Sequence, residues 1–418
     1  MLKFRIPPLA RIKFNEKKRN NWRIKLILKL LNNIKYGQLK LVTPEHETCL
    51  FLGSVDASLI SANLTLKSWD ALMSTFSKGD IGFGEAYMKG LWSSKNLTDL
   101  FQFISINKKE LETIIHGKKL FLIYEWITHK LNFNSKKNAK SNISAHYDLS
   151  NEFYKLFLDP TMTYSAAFYG ENCNLSLEAA QKKKNQQAIS LCGNMNKNFS
   201  VLEIGCGWGG FARQLLEETS AKYFGITLSE KQYEYINETF YPHSDNDRCV
   251  FEILDYRNVV GKFDLIVSIE MFEAVGAKYW SKYFESIKTH LQPTGKALIQ
   301  TILIHDSKFE QYKNGVDFIQ SYIFPGGMLA SESIFKQEVK KAGLEVTNEL
   351  WFSHDYARTL KEWQISFEKN INKIEDLGLD KKFCNMWRFY LSYCEAGFRT
   401  GDIEVAQFTL QNSLQNQQ

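Results

Sequence analysis

Alternating glycines in the stretch Val201–Gly210 (VLEIGCGWGG) could bind a cofactor. An apolar run ends at Glu203, and Gly205 and Gly207 then allow a sharp turn and a close approach of the backbone to a ligand. Helical spacing begins at Phe211, so the N-terminus of a helix would face the bound group. No Gly-Lys-Ser/Thr follows, as a phosphate loop would require. The stretch predicts a strand, a glycine turn and a helix around a ligand.

The class of ligand is indicated by the next predicted strand, Tyr223–Thr227. A dinucleotide site would have an acidic residue at the end of that strand to bind the ribose, whereas this strand ends in Thr227. We therefore predict that the glycine turn binds S-adenosylmethionine. The alternative is a tight turn without a ligand, which glycines also form.

Polar side chains after the other predicted strands complete this site. Ligands of parallel α/β sheets lie at the carboxyl ends of the strands, so contacts are expected from Glu203, from 227–232 and from 255–257. Asp255 could accept a hydrogen bond from an adenine amino group, or it could cap a helix.

Two carboxylates follow the apolar strand 263–269. Glu273, in SIEMFEAVG, would lie at the mouth of the same crevice. Its carboxylate could orient the reacting centre or cap the next helix, and Glu270 is the competing choice.

The elements that position these residues alternate between strand and helix after residue 200. The spacing predicts strands 223–227, 250–254, 263–269 and 297–302 and helices 230–239 and 278–291. Such alternation is typical of a doubly wound parallel sheet, so we predict an α/β fold with a Rossmann-like class I methyltransferase sheet. The runs 344–347 and 405–410 could close the sheet, and 356–398 is predicted as a helical, aromatic insertion.

Composition divides the chain into four segments. These are a basic arm with an amphipathic helix (1–35), a small N-terminal α+β domain (36–131), a polar linker (132–142) and the S-adenosylmethionine-dependent methyltransferase domain (143–411). Gly82 and Gly84 in the small domain have no strand-helix context and are interpreted as structural.

Positive charge is concentrated at the N-terminus. The 418-residue chain has a formal net charge of +6, and residues 1–35 are rich in Lys and Arg with Glu16 as the only acid. The arm also has an apolar helical stripe formed by Trp22, Leu26, Ile27, Leu30, Leu31 and Ile34. Charge and stripe together suit an anionic membrane surface, whereas the alternative is a solvated leader followed by a core helix. The moderate total charge does not predict nucleic-acid binding.

Cysteine usage and hydropathy indicate the compartment. Seven cysteines, an odd number with no C-x-x-C pair, favour a reducing environment, and no metal site is predicted. No apolar run is long enough to span a bilayer, and no signal-peptide core stands near Met1. We expect a cytoplasmic protein that is peripheral on the cytoplasmic membrane face.

From about Leu39 to Leu410 the sequence resembles the cyclopropane-fatty-acyl-phospholipid synthases, relatives of the mycolic acid cyclopropane synthases. The matching stretches are GDIGFGEAYMKGLW, HYDLSNEFYKLFLDPTMTYS, LEIGCGWGG, GITLSEKQ, VSIEMFEAVG, YIFPGGMLAS, HDYARTLKEW and FYLSYCEAGFRTGDI. Glycine turns alone occur in many methyltransferases, whereas this ordered set is specific to the family.

The resemblance implies a cofactor site and a reaction. The implied cofactor residues are Tyr164, Ser165, Gly205, Thr227 and Gln232, with Tyr256 and Arg257 beside the adenine. Family members act on a cis double bond in the acyl chain of a phospholipid. The alkene attacks the sulfonium methyl group, a carbocation forms, and loss of a proton from the added methyl closes a ring. Such a cation requires an aromatic-lined, water-poor pocket, because water would capture it and π-faces lower its energy.

The resemblance also implies a bicarbonate ion as the base. In the family this ion is held by a cysteine, a glutamate, a histidine, an isoleucine amide and a tyrosine. The corresponding positions are Ala166, Glu273, Gln300, Ile302 and Tyr356. Ala166 and Gln300 depart from the pattern, which weakens the bicarbonate site and leaves cofactor binding untouched. Glu273 and Tyr356 are the predicted catalytic residues.

Three functional hypotheses follow. The leading one is an enzyme that adds a one-carbon unit to the acyl chains of an unsaturated phospholipid, with that lipid and an anionic membrane surface as its partners. The runner-up is a fatty-acyl methyltransferase with methyl-branched or methylenated products. The third is a non-catalytic lipid-binding protein, against which the intact Gly205, Gly207, Gln232 and Glu273 count. A homodimer is left open.

Overall fold

The computed structural model describes residues 22–115, 149–172, 174–193, 195–240 and 248–413. They belong to two compact units. The N-terminal unit is drawn from 1–127, 315–318 and 379–400, and the larger unit from 128–314, 319–378 and 401–418. The expected linker, 132–142, and residues 1–21 of the basic arm lie outside the described residues.

The N-terminal unit combines a four-stranded sheet with helices. Its elements are α1 (Trp22–Leu31), β1 (Tyr36–Val42), β2 (Thr48–Leu52), β3 (Asp56–Leu66), α2 (Asp70–Met88), β4 (Trp92–Ser93), α3 (Leu97–Ile106) and α4 (Lys108–Ile115). The strand order is β2-β1-β3-β4, with β1 antiparallel to β2 and parallel to β3. This mixture of strands and helices agrees with the expected α+β architecture.

Three residues of the apolar stripe, and two residues beside it, are buried within the N-terminal unit. Ile27, Leu31 and Ile34 of the stripe are at most 7% exposed, and Ile24 and Leu28 beside them are equally buried. The helix is therefore a core helix, which is the alternative that the sequence left open. Among the described residues, no helix is long and apolar enough to cross a membrane.

Two glycines of α2 allow close packing inside the same unit. A Cβ added at Gly84 would lie 2.3 Å from the ring of Phe318, and one added at Gly82 would lie 2.2 Å from the carbonyl oxygen of Ser74. Real Cβ atoms do not approach so closely, so both positions require glycine. Their interpretation as structural residues is confirmed.

The larger unit is built on a seven-stranded sheet. Its strands are β5 (Ser200–Ile204), β6 (Lys222–Thr227), β7 (Cys249–Ile253), β8 (Phe263–Ile269), β9 (Leu291–Ile304), β10 (Leu344–Trp351) and β11 (Ile403–Asn412). Their order is β10-β11-β9-β8-β5-β6-β7, and β11 runs antiparallel to both of its neighbours while the other pairs are parallel. The predicted class I sheet, with its two closing strands, is confirmed.

The helices after α4 lie before or between the strands of this sheet in the chain, and the last of them belongs to the N-terminal unit. In chain order they are α5 (Asn151–Lys155), α6 (Leu177–Ser190), α7 (Gly210–Glu218), α8 (Glu230–Thr239), α9 (Trp280–His290), α10 (Asp306–Lys313), α11 (Phe318–Tyr322), α12 (Glu332–Lys341), α13 (Ser353–Lys369), α14 (Ile371–Asp376) and α15 (Lys381–Thr400). The inner strands β5 and β8 are buried almost throughout, because both faces of a parallel sheet are covered by helices.

The last helix, α15, belongs to the N-terminal unit and not to the continuous domain 143–411 that the sequence suggested. Within that unit the ring of Phe389 lies 4.7 Å from Phe101 and 4.2 Å from Phe318. Thr98 of α3 donates a hydrogen bond to the buried carboxylate of Glu395 at 2.9 Å. Periodicity identifies an amphipathic helix but not the surface it packs against, which is why the boundary differs.

Candidate functional site

A cleft in the larger unit lies at the carboxyl ends of β5, β6 and β8. Its volume is about 980 Å³ with the open mouth included. The predicted cofactor residues that line it are Tyr164, Ser165, Glu203, Gly205, Gly207, Thr227, Gln232 and Tyr256. The sheet therefore brings together side chains that are up to 92 positions apart in the chain.

The glycine turn leaves free space beside its backbone. Gly205, Gly207 and Gly209 all have positive φ, at 83°, 55° and 84°. A Cβ added at Gly207 would have no atom within 4 Å, although this residue lines the cleft. The open volume next to the N-terminus of α7 fits a ligand that approaches the backbone, as S-adenosylmethionine would.

Hydrogen bonds orient the side chains at the end of β6. The hydroxyl of Thr227 donates to Oε1 of Gln232 at 2.7 Å and accepts from the backbone N–H of Ser229 at 3.1 Å. Ser229 in turn caps α8 by accepting from the N–H of Gln232. The Gln232 amide is thereby held at the cleft wall, where a ribose could be recognised.

Asp255 and Arg257 bind each other behind this wall. Asp255 caps the short 3₁₀ helix Tyr256–Asn258, and its two carboxylate oxygens accept from the Arg257 guanidinium at 2.8 and 2.5 Å. Neither residue is among those that line the cleft, whereas Tyr256 between them is. The capping role of Asp255 is confirmed, and its contact with adenine stays a prediction.

Glu203 is a buried acid at the base of the cleft. Its carboxylate accepts a hydrogen bond from the hydroxyl of Tyr223. Burial raises the pKa of Glu203 to about 7, and the Tyr223 hydrogen bond and the positive charge of Lys184 oppose this shift.

Lys184 is a site residue that the sequence analysis missed. Its ammonium group is fully buried, lines the cleft and donates to the hydroxyl of Ser165 at 2.7 Å. Burial lowers the pKa of Lys184 to about 8. Three consecutive lysines suggest a solvated helix face, but Lys184 lies four residues from both Ala180 and Ala188, on the buried stripe of α6. That spacing was the available signal.

Glu270 lines the cleft, and its carboxylate accepts three hydrogen bonds. Oε1 accepts from the backbone N–H of Ala166 at 2.8 Å and from the side-chain amide of Gln300 at 2.7 Å. Oε2 accepts from the hydroxyl of Tyr356 at 2.5 Å. Burial raises the pKa of Glu270, and these three donors and the Lys184 charge oppose the shift.

Glu273 has a different set of partners. Its Oε1 accepts from the backbone N–H of Ile302 at 2.5 Å and from the hydroxyl of Thr301 at 2.9 Å. Burial, and next the charge of Glu270, raise the pKa of Glu273 to about 8. Glu273 is not among the residues that line the cleft, so the predicted catalytic carboxylate lies behind the competing one.

The residues at the implied bicarbonate positions therefore converge on two protein carboxylates. The donors Ala166, Gln300 and Tyr356 meet at Glu270, while Ile302 meets Glu273. A second amide fixes this arrangement, because the side chain of Gln407 donates to Oε1 of Gln300 at 3.0 Å and leaves the Gln300 nitrogen facing Glu270.

Helix α13 holds Tyr356 and also anchors the segment that contains Tyr164 and Ala166. The backbone N–H of Ala167 donates to the hydroxyl of Thr359 at 3.1 Å. The ring of Trp363 lies 5.2 Å from Tyr164 and 6.3 Å from Tyr356. Helix α13 thus brings the Tyr356 hydroxyl to Glu270 and the Trp363 ring to Tyr164, which lines the cleft.

Comparison with known proteins places this site among lipid-modifying methyltransferases. The profile of a family described as mycolic acid cyclopropane synthetase matches residues 134–408. A tuberculostearic acid methyltransferase of Mycobacterium tuberculosis is 35% identical over 343 residues, which cover 79% of either chain. A cyclopropane-fatty-acyl-phospholipid synthase of Escherichia coli is 32% identical over 359 residues, 85% of this chain and 89% of the relative.

A solved structure has the same fold and was determined with a cofactor product. The mycolic acid cyclopropane synthase complexed with S-adenosylhomocysteine (SAH) and CTAB superposes with a TM-score of 0.60 at 30% identity. The match covers 65% of this chain and 98% of that one.

Proposed function

The chain belongs to the mycolic acid cyclopropane synthetase family, and we propose that it transfers a one-carbon unit to a cis double bond in phospholipid acyl chains and closes a cyclopropane ring. S-adenosylmethionine is its cofactor, and its relatives are S-adenosylmethionine-dependent enzymes of lipid modification. The observation that carries the proposal is the position of Glu270, because this hydrogen-bonded carboxylate lines the same cleft as the glycine turn.

Some residues of the cleft would bind the cofactor, and others would stabilise the carbocation. Gly205, Gly207, Thr227 and Gln232 would hold S-adenosylmethionine, which supplies an electrophilic methyl group on a sulfonium. The rings of Tyr164, Trp208, Phe211 and Tyr256 line the cleft. They exclude water and present π-faces, which lower the energy of a carbocation on the acyl chain.

A second product class is supported by two side chains. Ala166 offers a methyl group where the family has a cysteine, and Gln300 replaces a histidine, so proton removal differs from the family pattern. A fatty-acyl methyltransferase with methyl-branched or methylenated products is the second candidate. The name of the tuberculostearic acid methyltransferase, a relative that is 35% identical, is in line with it.

We also propose that the enzyme works at the cytoplasmic face of an anionic membrane. Its substrate would be embedded in the bilayer, and the positive charge of the N-terminal residues would draw the protein to that surface. Ile27 and Leu31 of α1 take no part, because they are buried in the N-terminal unit.

The test is to incubate the purified full chain with isotopically labelled S-adenosylmethionine and vesicles of monounsaturated phospholipid. We expect labelled lipid, with mass spectrometry distinguishing a ring from a methyl branch or methylene group. Vesicles of saturated phospholipid are the control and should remain unlabelled. Binding of S-adenosylmethionine without labelled lipid would contradict the proposal, and lipid binding without cofactor binding would favour the non-catalytic hypothesis.

A further inference from the structure

We propose that Glu270 is the general base of this enzyme and that its carboxylate takes the place of the bicarbonate ion that the family resemblance implies. The inference rests on the proposed function and names the group that removes the proton. It follows from the contacts of Glu270, which the resemblance does not assign to any role.

The first argument is the set of donors. The positions that would hold bicarbonate supply the backbone N–H of Ala166, the side-chain amide of Gln300 and the hydroxyl of Tyr356, and all three donate to Glu270. A carboxylate and a bicarbonate ion present the same pair of acceptor oxygens. An anion supplied by the chain thus occupies the donors that would otherwise bind one from solution.

The second argument is the free lone pair. A carboxylate can accept about four hydrogen bonds, and two donors on Oε1 and one on Oε2 leave room on Oε2 for a proton. Glu270 lines the cleft, whereas Glu273 does not.

The third argument is the backbone at Glu270, whose φ is +51°. L-residues rarely adopt this left-handed conformation, and such outliers cluster at functional sites. Of the three non-glycine residues with positive φ in the described part of the chain, Met162 and Glu270 both line the cleft. The strained backbone aims the Glu270 side chain at its three donors.

The proposed step conserves atoms and electrons. Glu270 takes a proton from the carbon that has been added to the acyl chain, forming an O–H bond as the C–H bond breaks. The electron pair of that C–H bond forms the last C–C bond of the ring at the cationic carbon. Glu270 is left as a carboxylic acid and returns its proton to solvent after product release. The positive charge of Lys184 at the same cleft favours the ionised form before the step.

The first test compares the same chemical change at two neighbouring positions. Glu270→Gln should lose about 10²-fold to 10⁴-fold in turnover, which is the usual contribution of a general base. Glu273→Gln should lose less, because its amide oxygen can still accept from Ile302 and Thr301. Affinity for S-adenosylmethionine, measured by calorimetry, should survive in both variants. Near wild-type turnover of Glu270→Gln would overturn the inference.

The second test has a melting-temperature readout that needs neither lipid nor cofactor, and a turnover readout that needs both. Glu270→Gly removes the carboxylate, suits the positive φ and leaves three donors without their acceptor. Bicarbonate or formate should raise the melting temperature of this variant and restore part of its turnover, relative to chloride at equal ionic strength. Wild type and Glu270→Gln should show no such shift, because a side chain fills the site.

The two tests separate the inference from the proposed function. Labelled lipid formed by wild type reports on the proposed function, while the anion-induced melting shift of Glu270→Gly reports on the donor site alone. Equal stabilisation of wild type and Glu270→Gly by bicarbonate would overturn the inference, as would bicarbonate activation of wild type.

Discussion

Gly207 provides the sharpest test of the cofactor site at the scale of a residue. Gly207 lines the cleft and has a φ of +55°. An added Cβ would meet no atom within 4 Å. Gly207→Ala would put a methyl group where the cofactor approaches the backbone. We expect the affinity for S-adenosylmethionine to fall at least tenfold, about 1.4 kcal/mol, as measured by isothermal titration calorimetry.

Gly193→Ala is the matched control. This glycine also has a positive φ, of 64°, and no atom within 4 Å of an added Cβ, but it lies outside the cleft. The two substitutions carry a similar backbone cost of about 1 kcal/mol, so melting temperatures should fall alike. Equal cofactor affinity in the two variants would show that the glycine turn does not bind S-adenosylmethionine.

The chemistry of the site was only partly predictable from residue types. The glycine turn and Gln232 could be predicted because their spacing relative to predicted strands brings them to one edge of the sheet. Tyr356 could be predicted from the family resemblance alone. The sequence alone could not predict which of the two carboxylates, Glu270 or Glu273, belongs to the cleft. Both follow β8, and only the backbone conformation at Glu270 and the donors that meet it distinguish a carboxylate in the cleft from one behind it.

At the scale of elements, α15 stabilises the N-terminal unit through Phe389. This ring is 1% exposed and lies between the rings of Phe101 and Phe318. Phe389→Ala should destabilise the unit by about 3–5 kcal/mol, the usual cost of removing a buried ring. Hydrogen exchange of the amides in α3 and β3, together with urea unfolding, would measure the loss.

A substitution at an exposed position of the same helix is the control for Phe389→Ala. Lys382 is exposed near the start of α15, and Lys382→Ala should change stability by less than about 0.5 kcal/mol. If Phe389→Ala behaved like Lys382→Ala, the helix would not be part of that core.

Periodicity predicts the helices and strands themselves, but it does not predict the surfaces against which they pack. The strand-helix alternation after residue 200 predicts the parallel part of the larger unit's sheet, β5 to β9, since crossover helices return the chain to parallel strands. An amphipathic helix such as α15 has an apolar face that suits any apolar surface. Its assignment depends on side chains such as Thr98, which are distant in the chain.

At the scale of the whole molecule, the first 19 residues of the arm carry a charge equal to that of the protein. Residues 1–19 contain seven Lys and Arg residues and one Glu, a balance of +6, which is also the formal net charge of the chain. Deleting these residues should weaken binding to anionic vesicles, by about 1 kcal/mol for each basic residue that reaches the surface.

Vesicle flotation at low and high salt would measure this effect. The loss should be largest at low salt, because ions screen the attraction. Neutral vesicles are the control, and the intact and shortened chains should bind them equally. Equal binding of the intact chain to neutral and anionic vesicles would contradict the electrostatic role of the arm.

The membership of α15 in the N-terminal unit has a consequence for biogenesis. A ribosome releases 22–115 before strands β5–β10 of the larger unit, but 379–400 only after them. Domains usually fold as units during translation, in the order in which they are synthesised. Here the N-terminal unit lacks Phe389 and Glu395 while most of the methyltransferase sheet is being made, so we expect its apolar surface to stay uncovered during that time.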